Sequence, residues 1–391
     1  MKLYLQKTVY EAALERIRWL YDEFDQVFVS FSGGKDSTVC LHLALQVAAE
    51  RGRLPLPVLF IDQEAEWQMA IDYIRTVMSD PRVKPLWLQV PFKIFNATSG
   101  TDPWLQCWEP RKTWIREREP ESYHENVFGT DRFGEMFNAA INYFAGGKRA
   151  ANIGGMRCEE SPSRLRGLTH GNTYKGQAWG KVLDRKREQF TFYPIYDWSL
   201  SDVWKAIHDE AWKYCPLYDF QYRYGIAPRD MRVSNVHHET AVKNLFYLQE
   251  VEPETWERIV GRLSGVNTVG KLRDDMLCPK ELPFMFTSWA EYRDYLVENL
   301  VTEEADREDF RKLWKRGEGK YDAETTEKLH RMQVKAVLAN DHWGVKIGSF
   351  ENSHQKNVVG GVANDRYHER QAAKRKDRET TKLLIGKRVE G

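Results

Sequence analysis

The run Val27-Phe28-Val29-Ser30-Phe31 stops abruptly at Ser32-Gly33-Gly34-Lys35-Asp36-Ser37, and a helical pattern follows from Thr38 to Glu50. A β-branched apolar run, a glycine-rich turn and an immediate helix predict a strand, a loop and a helix N-terminus in succession. No other feature constrains the fold as much. It turns backbone N–H groups and the positive end of a helix dipole toward whatever lies beyond the strand. Two adjacent glycines let the main chain approach an anion with no Cβ in the way. Ser32 and Ser37 add hydroxyl donors and Lys35 adds a charge, which makes Ser30 to Ser37 a candidate phosphate-binding segment. The plain alternative is a solvated polar turn. The spacing excludes G-x-x-x-x-G-K-[ST], which needs glycine where Val29 stands and Ser or Thr where Asp36 stands, and G-x-G-x-x-G is absent.

Around this loop, strand and helix patterns alternate. Leu14, Ile17, Tyr21 and Phe24 form an apolar helical stripe before the first strand, Gln26 to Phe31, and Val39, Leu43 and Val47 form another after the loop. Pro57 to Ile61 reads as a second buried strand ending at Asp62, a helix runs from Trp67 to Met78, and Leu86 to Val90 reads as a third strand. Phe92 to Phe128, rich in Trp, Arg and Pro, is too long for a plain connection and reads as an insertion. A helix (Arg132 to Phe144), strands at Ala150–Ile153 and Phe190–Tyr193, and a helix from Leu200 to Ala211 follow, the last with Ser199 as its cap. This alternation predicts an α/β fold, a Rossmann-like parallel sheet with helices on both faces. Beyond Val233 the pattern turns helical, at 239–249, 253–263, 289–300 and 323–338. The expected division is a nucleotide-binding domain at 1–235, with its insertion at 92–128, a helical domain at 236–345 and a basic tail at 346–391.

Composition narrows the class. With 391 residues and 42% hydrophobic content a sizeable core is available. The 58 basic and 57 acidic residues nearly cancel, so bulk charge argues against a nucleic-acid partner. The end, Asn364 to Gly391, with nine Lys or Arg against five acids, and the stretch Arg111 to Arg116 are candidate contacts for nucleic acid, a solvated charged face being the alternative. Five cysteines are scattered singly without a C-x-x-C pair, which suits reduced intracellular thiols. Mean hydropathy is −0.63, no apolar run approaches the length of a bilayer, and Met1 to Gln6 lacks a signal core. A cytoplasmic protein without membrane attachment is expected. His237-His238 lacks a second ligand pair at metal spacing, so no zinc is expected.

Ser32 to Ser37, S-G-G-K-D-S, resembles the pyrophosphate loop of the PP-loop ATP pyrophosphatases, or adenine nucleotide α-hydrolases, whose fold is the HUP type. Gly154-Gly155-Met156-Arg157-Cys158-Glu159-Glu160-Ser161-Pro162-Ser163-Arg164 resembles the G-x-R-x-[DE]-E-S-x-x-R stretch shared by phosphoadenosine phosphosulfate (PAPS) reductases and the small subunit of bacterial ATP sulfurylase. Pro194 to Trp204 matches the P-x-x-D-W-[ST]-x-x-D-V-W element of the same group. The resemblance covers about residues 20 to 225. It implies ATP with Mg²⁺, the β- and γ-phosphates held by the loop and bonds made and broken at the α-phosphate. Carried over position by position, it places Ser30, Phe31, Ser32, Gly33, Gly34, Lys35, Asp36, Ser37, Asp62, Gly154, Gly155 and Arg157 around the nucleotide. Lys35, Arg157 and Arg164 take the electrostatic catalytic role, and Asp36 and Glu160 are the candidate Mg²⁺ ligands. Glu159 and Glu160 read as orienting the arginines or holding Mg²⁺, with a structural salt bridge as the alternative; Arg166 reads as a phosphate or sulfate contact or else a surface ion pair, and Cys158 as a thiol activated by Arg157 or else an inert position.

The departures from the pattern matter equally. A thiol-dependent PAPS reductase needs a nucleophilic cysteine in an E-C-G-[IL]-H tail, and none follows Cys278. Cys107-Trp108-Glu109-Pro110-Arg111-Lys112 matches half of the cluster motif of adenylyl sulfate reductases with one cysteine missing, so no iron–sulfur cluster is expected. Relatives commonly read D-T-G after the second strand, where this chain has Asp62-Gln63-Glu64. The whole-chain pattern resembles the immunoglobulin-binding-regulator A type of PAPS-reductase-like proteins in enterobacteria and their phages, which implies a ParB-like partner protein. Three readings stand: cleavage of ATP with adenylylation of an acceptor, binding or reduction of a sulfonucleotide, and nucleotide-dependent regulation through the ParB-like partner or DNA. The sequence does not set the oligomeric state.

Overall fold

Thr8 and Glu11 close a capping box that starts the first helix, α1 (Val9–Glu23), and the apolar run after it becomes β1 (Gln26–Ser30). In this computed structural model, residues 6–354 are described except 97, 99–103, 170–172, 185, 234, 237–244, 264, 267–278, 280, 339–340 and 342–343. The chain continues through α2 (Lys35–Glu50), β2 (Leu56–Ile61), α3 (Gln68–Met78) and β3 (Val83–Leu88). A hairpin of β4 (Phe92–Phe95) and β5 (Trp104–Cys107) opens the insertion. After α4 (Phe133–Ala145) come β6 (Ala150–Ile153), α5 (Pro162–Thr169), β7 (Thr173–Tyr174), β8 (Gln177–Asp184), β9 (Gln189–Phe192), α6 (Leu200–Asp209) and α7 (Leu217–Arg223).

Seven strands form one sheet in the order β3-β2-β1-β6-β9-β8-β7. The five strands from β3 to β9 are parallel, as the alternating pattern requires, and their inward residues form the core: Val27, Val29, Leu59, Ile61 and Ile153 are all buried. The sheet is mixed rather than wholly parallel, because β8 runs antiparallel to β9 and β7 antiparallel to β8. The turn joining the last two is Lys175-Gly176, with φ of 46° and 76°. Two left-handed residues in succession match the right-handed twist of a tight hairpin. β3 begins earlier than its apolar residues suggest, since Lys84 and Pro85 interrupt the pattern, and an edge strand tolerates proline.

The order of strands positions the site. From β1 the chain steps to β2 and β3 on one side, and later to β6 and β9 on the other. The carboxyl ends of β1 and β6 therefore flank a topological switch point, where ligands bind in open α/β sheets.

The described residues divide into two compact units, one within Met1–Phe95 and Trp104–Leu263, the other within Asn96–Pro103 and Ser264–Gly391. The first includes α8 (Leu245–Val251) and α9 (Pro253–Arg262) as well as the sheet. The second is helical: α10 (Trp289–Leu300), α11 (Glu304–Gly317), α12 (Ala323–Leu338) and α13 (Val345–Ser353) pack around Phe310, Leu329, Val337 and Ile347. Among the described residues no helix is long and apolar enough to cross a membrane. His237, His238, Cys278 and the basic end from 355 onward lie outside the described residues.

The end of α1 is tied to the β7–β8 hairpin by Glu23. Its carboxylate accepts from Lys175 Nζ at 2.6 Å, Tyr174 Oη at 2.5 Å and Arg149 Nη2 at 3.1 Å, and these donors lower its pKa to about 2. A carboxyl depressed in the folded state stabilises the fold above its unfolded pKa and loses that contribution as pH falls toward 2. We expect thermal melting of the wild type to shift downward between pH 5 and pH 2, and Glu23→Gln to flatten that slope while lowering the melting temperature at pH 7. Parallel slopes for the two proteins would refute the assignment.

Candidate functional site

The loop between β1 and α2 is built to leave amides open. Gly33 has φ of +73°, and a Cβ there would meet Ile74 at 3.2 Å. Ser37 Oγ donates to the Gly34 carbonyl at 2.9 Å and accepts from Ser32 N–H at 3.3 Å, which closes the turn internally. Lys35 N–H donates to Tyr218 Oη at 3.0 Å, and Thr38 N–H to the Gly34 carbonyl at 2.9 Å. The N–H groups of Gly33, Gly34, Asp36 and Ser37 have no acceptor among the described residues, and no side chain caps α2. Orphan amides at a helix N-terminus form a concave donor surface for an anion.

Charge is concentrated beside this surface. Arg157 Nε meets Asp36 Oδ1 at 2.5 Å, and Lys35 Nζ lies 3.2 Å from Asp36 Oδ2. Arg157 is 3% exposed and Lys35 7%, so two buried cations share the Asp36 carboxylate, and Arg157 also faces Glu159 at 3.8 Å. Lys35 Nζ also lies 5.5 Å from the centre of the Tyr218 ring, whose burial pushes the phenol well up. Tyr218 thus holds Lys35 at both its amide and its ammonium end.

The turn after β6 reaches this loop because Gly155 has no side chain. A Cβ at Gly155 would stand 2.8 Å from Asp36 C and Ser37 N, main-chain atoms that cannot give way. The close approach carries Arg157 to Asp36. Beyond it, a 3-10 turn at Cys158–Glu160 leads into α5. Glu160 accepts from Arg157 N–H at 3.2 Å and pairs with Arg164 at 2.6 Å. Ser30 bonds Asn152 across the seam between β1 and β6, Phe31 lies in the core against Tyr73, and Gly154 continues the β6 ladder. Of the residues singled out from sequence, Ser32 to Ser37, Gly155 and Arg157 come together directly. Arg164 is joined to them through Glu160.

Asp62 has a different setting. It is 0% exposed and accepts from Trp87 Nε1 at 2.8 Å, Gln89 Nε2 at 3.0 Å, Glu64 N–H at 3.0 Å and the Arg116 guanidinium. With every acceptor position taken by the protein, it braces the loop after β2, and a direct bond to a nucleotide would require breaking that network. Glu64, also 0% exposed, pairs with Arg262 at 2.8 Å. Glu66 has no hydrogen-bond donor among the described residues. Burial first, then the nearby Asp62, pushes its pKa up to about 8.

Asp36 and Glu160, the candidate Mg²⁺ ligands, are both engaged by cations of the protein. Asp36 is neutralised by Arg157 and Lys35, and Glu160 by Arg164. A site for a hard cation needs carboxylates free to turn toward it. Among the described residues no group of three or more His, Cys, Asp and Glu is placed to hold a metal ion. Cys40, Cys107 and Cys215 are buried thiols whose pKa values burial raises, that of Cys215 to about 12.

Residues 26–224 match the phosphoadenosine phosphosulfate reductase domain, slightly more than half of the chain. The chain belongs to that family. Residues 225–359 match a domain of unknown function, DUF3440. The whole chain is similar to YbdN of Escherichia coli K12, itself uncharacterised, with 28% identity covering 96% of this chain and 97% of that protein. It is 25% identical to sulfate adenylyltransferase subunit 2 of Shewanella pealeana, over 54% of this chain and 66% of that protein. Among solved structures it is similar to a PAPS reductase from Candida auris in a phosphate complex, with 14% identity, 61% of this chain and 98% of that one covered, and a TM-score of 0.35.

Sequence reasoning missed Tyr218, Arg116 and Arg262. Each lies 50 or more residues from its partner, at separations of 183, 54 and 198, and no local pattern announces such a pairing. Two outcomes follow from the geometry. Gly155→Ala should abolish detectable ATP binding by calorimetry and lower the melting temperature, because two backbones must part. Tyr218→Phe, which removes one buried hydrogen bond of about 1 kcal/mol, should weaken ATP binding about fivefold with the secondary structure intact by circular dichroism. Unchanged affinity in either variant would contradict this description of the loop.

Proposed function

We propose that the chain binds ATP with the β- and γ-phosphates on Ser32 to Ser37, breaks the bond between the α- and β-phosphates, and adenylylates an acceptor. The observation that carries this reading is the set of four open amides at Gly33, Gly34, Asp36 and Ser37, placed at the switch point of the sheet beside Lys35 and Arg157. Similarity to sulfate adenylyltransferase subunit 2 favours adenylyl transfer as the class of reaction.

In this reading an acceptor oxyanion attacks the α-phosphorus. The new O–P bond forms as the bond to the bridging oxygen breaks, and the electron pair leaves on pyrophosphate. No oxidant or reductant is needed, and an acceptor that starts as a hydroxyl also gives up a proton. The chain's part is positioning and electrostatics: the loop amides fix the leaving phosphates, and Lys35 offsets the charge that grows on them. Arg157 keeps Lys35 and Asp36 in register, and Arg164, held by Glu160 at the neighbouring turn, turns toward the phosphates when they bind. Mg²⁺ enters with the triphosphate, as part of the substrate.

Calorimetric titration with ATP·Mg²⁺ and, separately, PAPS tests the reading. The wild type should bind ATP with micromolar affinity, and Lys35→Ala combined with Ser37→Ala should lose at least a hundredfold. Preference for PAPS over ATP would replace ATP cleavage with sulfonucleotide chemistry, and binding of neither would remove the nucleotide reading altogether.

A further inference from the structure

The loop after β2 is where this chain departs from its relatives, and one later segment holds it almost residue by residue. Gln63 is bonded through its side chain by Asn235. Glu64 is paired with Arg262, whose Nη2 also donates to the Gln106 carbonyl at 2.7 Å. The Ala65 carbonyl accepts from Val236 N–H at 3.1 Å. At the start of α3, which has no cap from its own sequence, the Glu252 carboxylate accepts from Gln68 N–H at 2.7 Å and Met69 N–H at 2.9 Å. Glu252 is 8% exposed and Arg262 has a side chain 12% exposed, so these are interior contacts.

The held conformation is not one the loop adopts freely. Glu64 has φ of +63°, in the left-handed region that penalises a side chain, and its carboxylate must be buried. Arg262 and the Trp108 N–H, 2.6 Å from Glu64 Oε2, compensate that burial. Without them the loop has no reason to keep this shape. Meanwhile α3 is joined to both flanks of the phosphate loop by Tyr73, whose ring packs against Phe31 and whose hydroxyl bonds Thr38 Oγ1 at 3.0 Å. The clasped loop, α3 and the phosphate loop are therefore one continuous packed structure.

We infer that Asn235, Val236, Glu252 and Arg262, which belong to the stretch matching a domain of unknown function, form a clasp that fixes the loop after β2 and the start of α3, and through them the nucleotide-binding loop. Glu252 and Arg262 are its positioning residues. This rests on the nucleotide reading above, and assigns the first part of that domain a share in the affinity of the site.

The test uses the full chain and two readouts, amide hydrogen exchange over residues 62–70 and calorimetric affinity for ATP·Mg²⁺. Arg262→Met should speed exchange across 62–70 at least tenfold and weaken ATP binding about tenfold. Glu252→Ala should speed exchange at Gln68 and Met69, and Arg262→Lys should restore most of the affinity lost in Arg262→Met. As a control for general destabilisation, Leu329→Ala, in the core of the helical unit, should lower the melting temperature and leave both readouts at wild-type values. Unchanged exchange in Arg262→Met and Glu252→Ala would overturn the clasp. Faster exchange with unchanged ATP affinity would overturn its link to the nucleotide. Failure of the wild type to bind ATP would instead overturn the nucleotide reading, and the claimed share in affinity with it.

Discussion

Arg157 and Asp36 meet across the gap between the ends of β6 and β1, and the site depends on that contact. The guanidinium comes from the turn after one strand and the carboxylate from the helix after the other. Both are largely buried, and a buried charge without its partner is heavily penalised, commonly by about 3–5 kcal/mol. The pair therefore fixes the distance between two elements that the sheet alone would only place side by side. Lys35 is held by the same carboxylate, which sets the cation at the edge of the open amides. Gly155 makes the contact sterically attainable, and Tyr218 anchors the loop by accepting from the Lys35 N–H.

A second charged network sits after β2 and has another purpose. Asp62, Glu64, Arg116 and Arg262 interlock with every carboxylate oxygen of Asp62 accounted for, so this cluster specifies a loop shape. The buried carboxylate of Glu64 requires a cation, and Arg262 of α9 supplies it.

Much of this was legible in advance. The phosphate loop, its flanking strand and helix, and the arginine turn are each contiguous in sequence, so their residue types and spacing describe a local conformation directly. The parallel core of the sheet followed from strand–helix alternation. The edge hairpin at Thr173–Asp184 was not found, because β7 has only two residues and β8 is half polar. Its Lys175-Gly176 turn was the available signal. The β4–β5 hairpin was likewise concealed within an aromatic-rich stretch without clear alternation.

The sequence by itself determined that a glycine-rich, lysine-bearing turn joins a buried strand to a helix, and that two further family motifs follow in order. That much needs only backbone stereochemistry and local periodicity. Only the tertiary structure decided which charges the site keeps free. Asp36 and Glu160 read as metal ligands while their neighbours were unknown, and become partners of Arg157 and Arg164 once the strands are laid side by side. Asp62, a nucleotide contact by resemblance, is surrounded by three donors from distant segments and by the Glu64 N–H of its own loop. Whether a charged side chain faces a ligand or another residue depends on what the fold brings within about 3 Å, and that distance is set by packing across the whole unit.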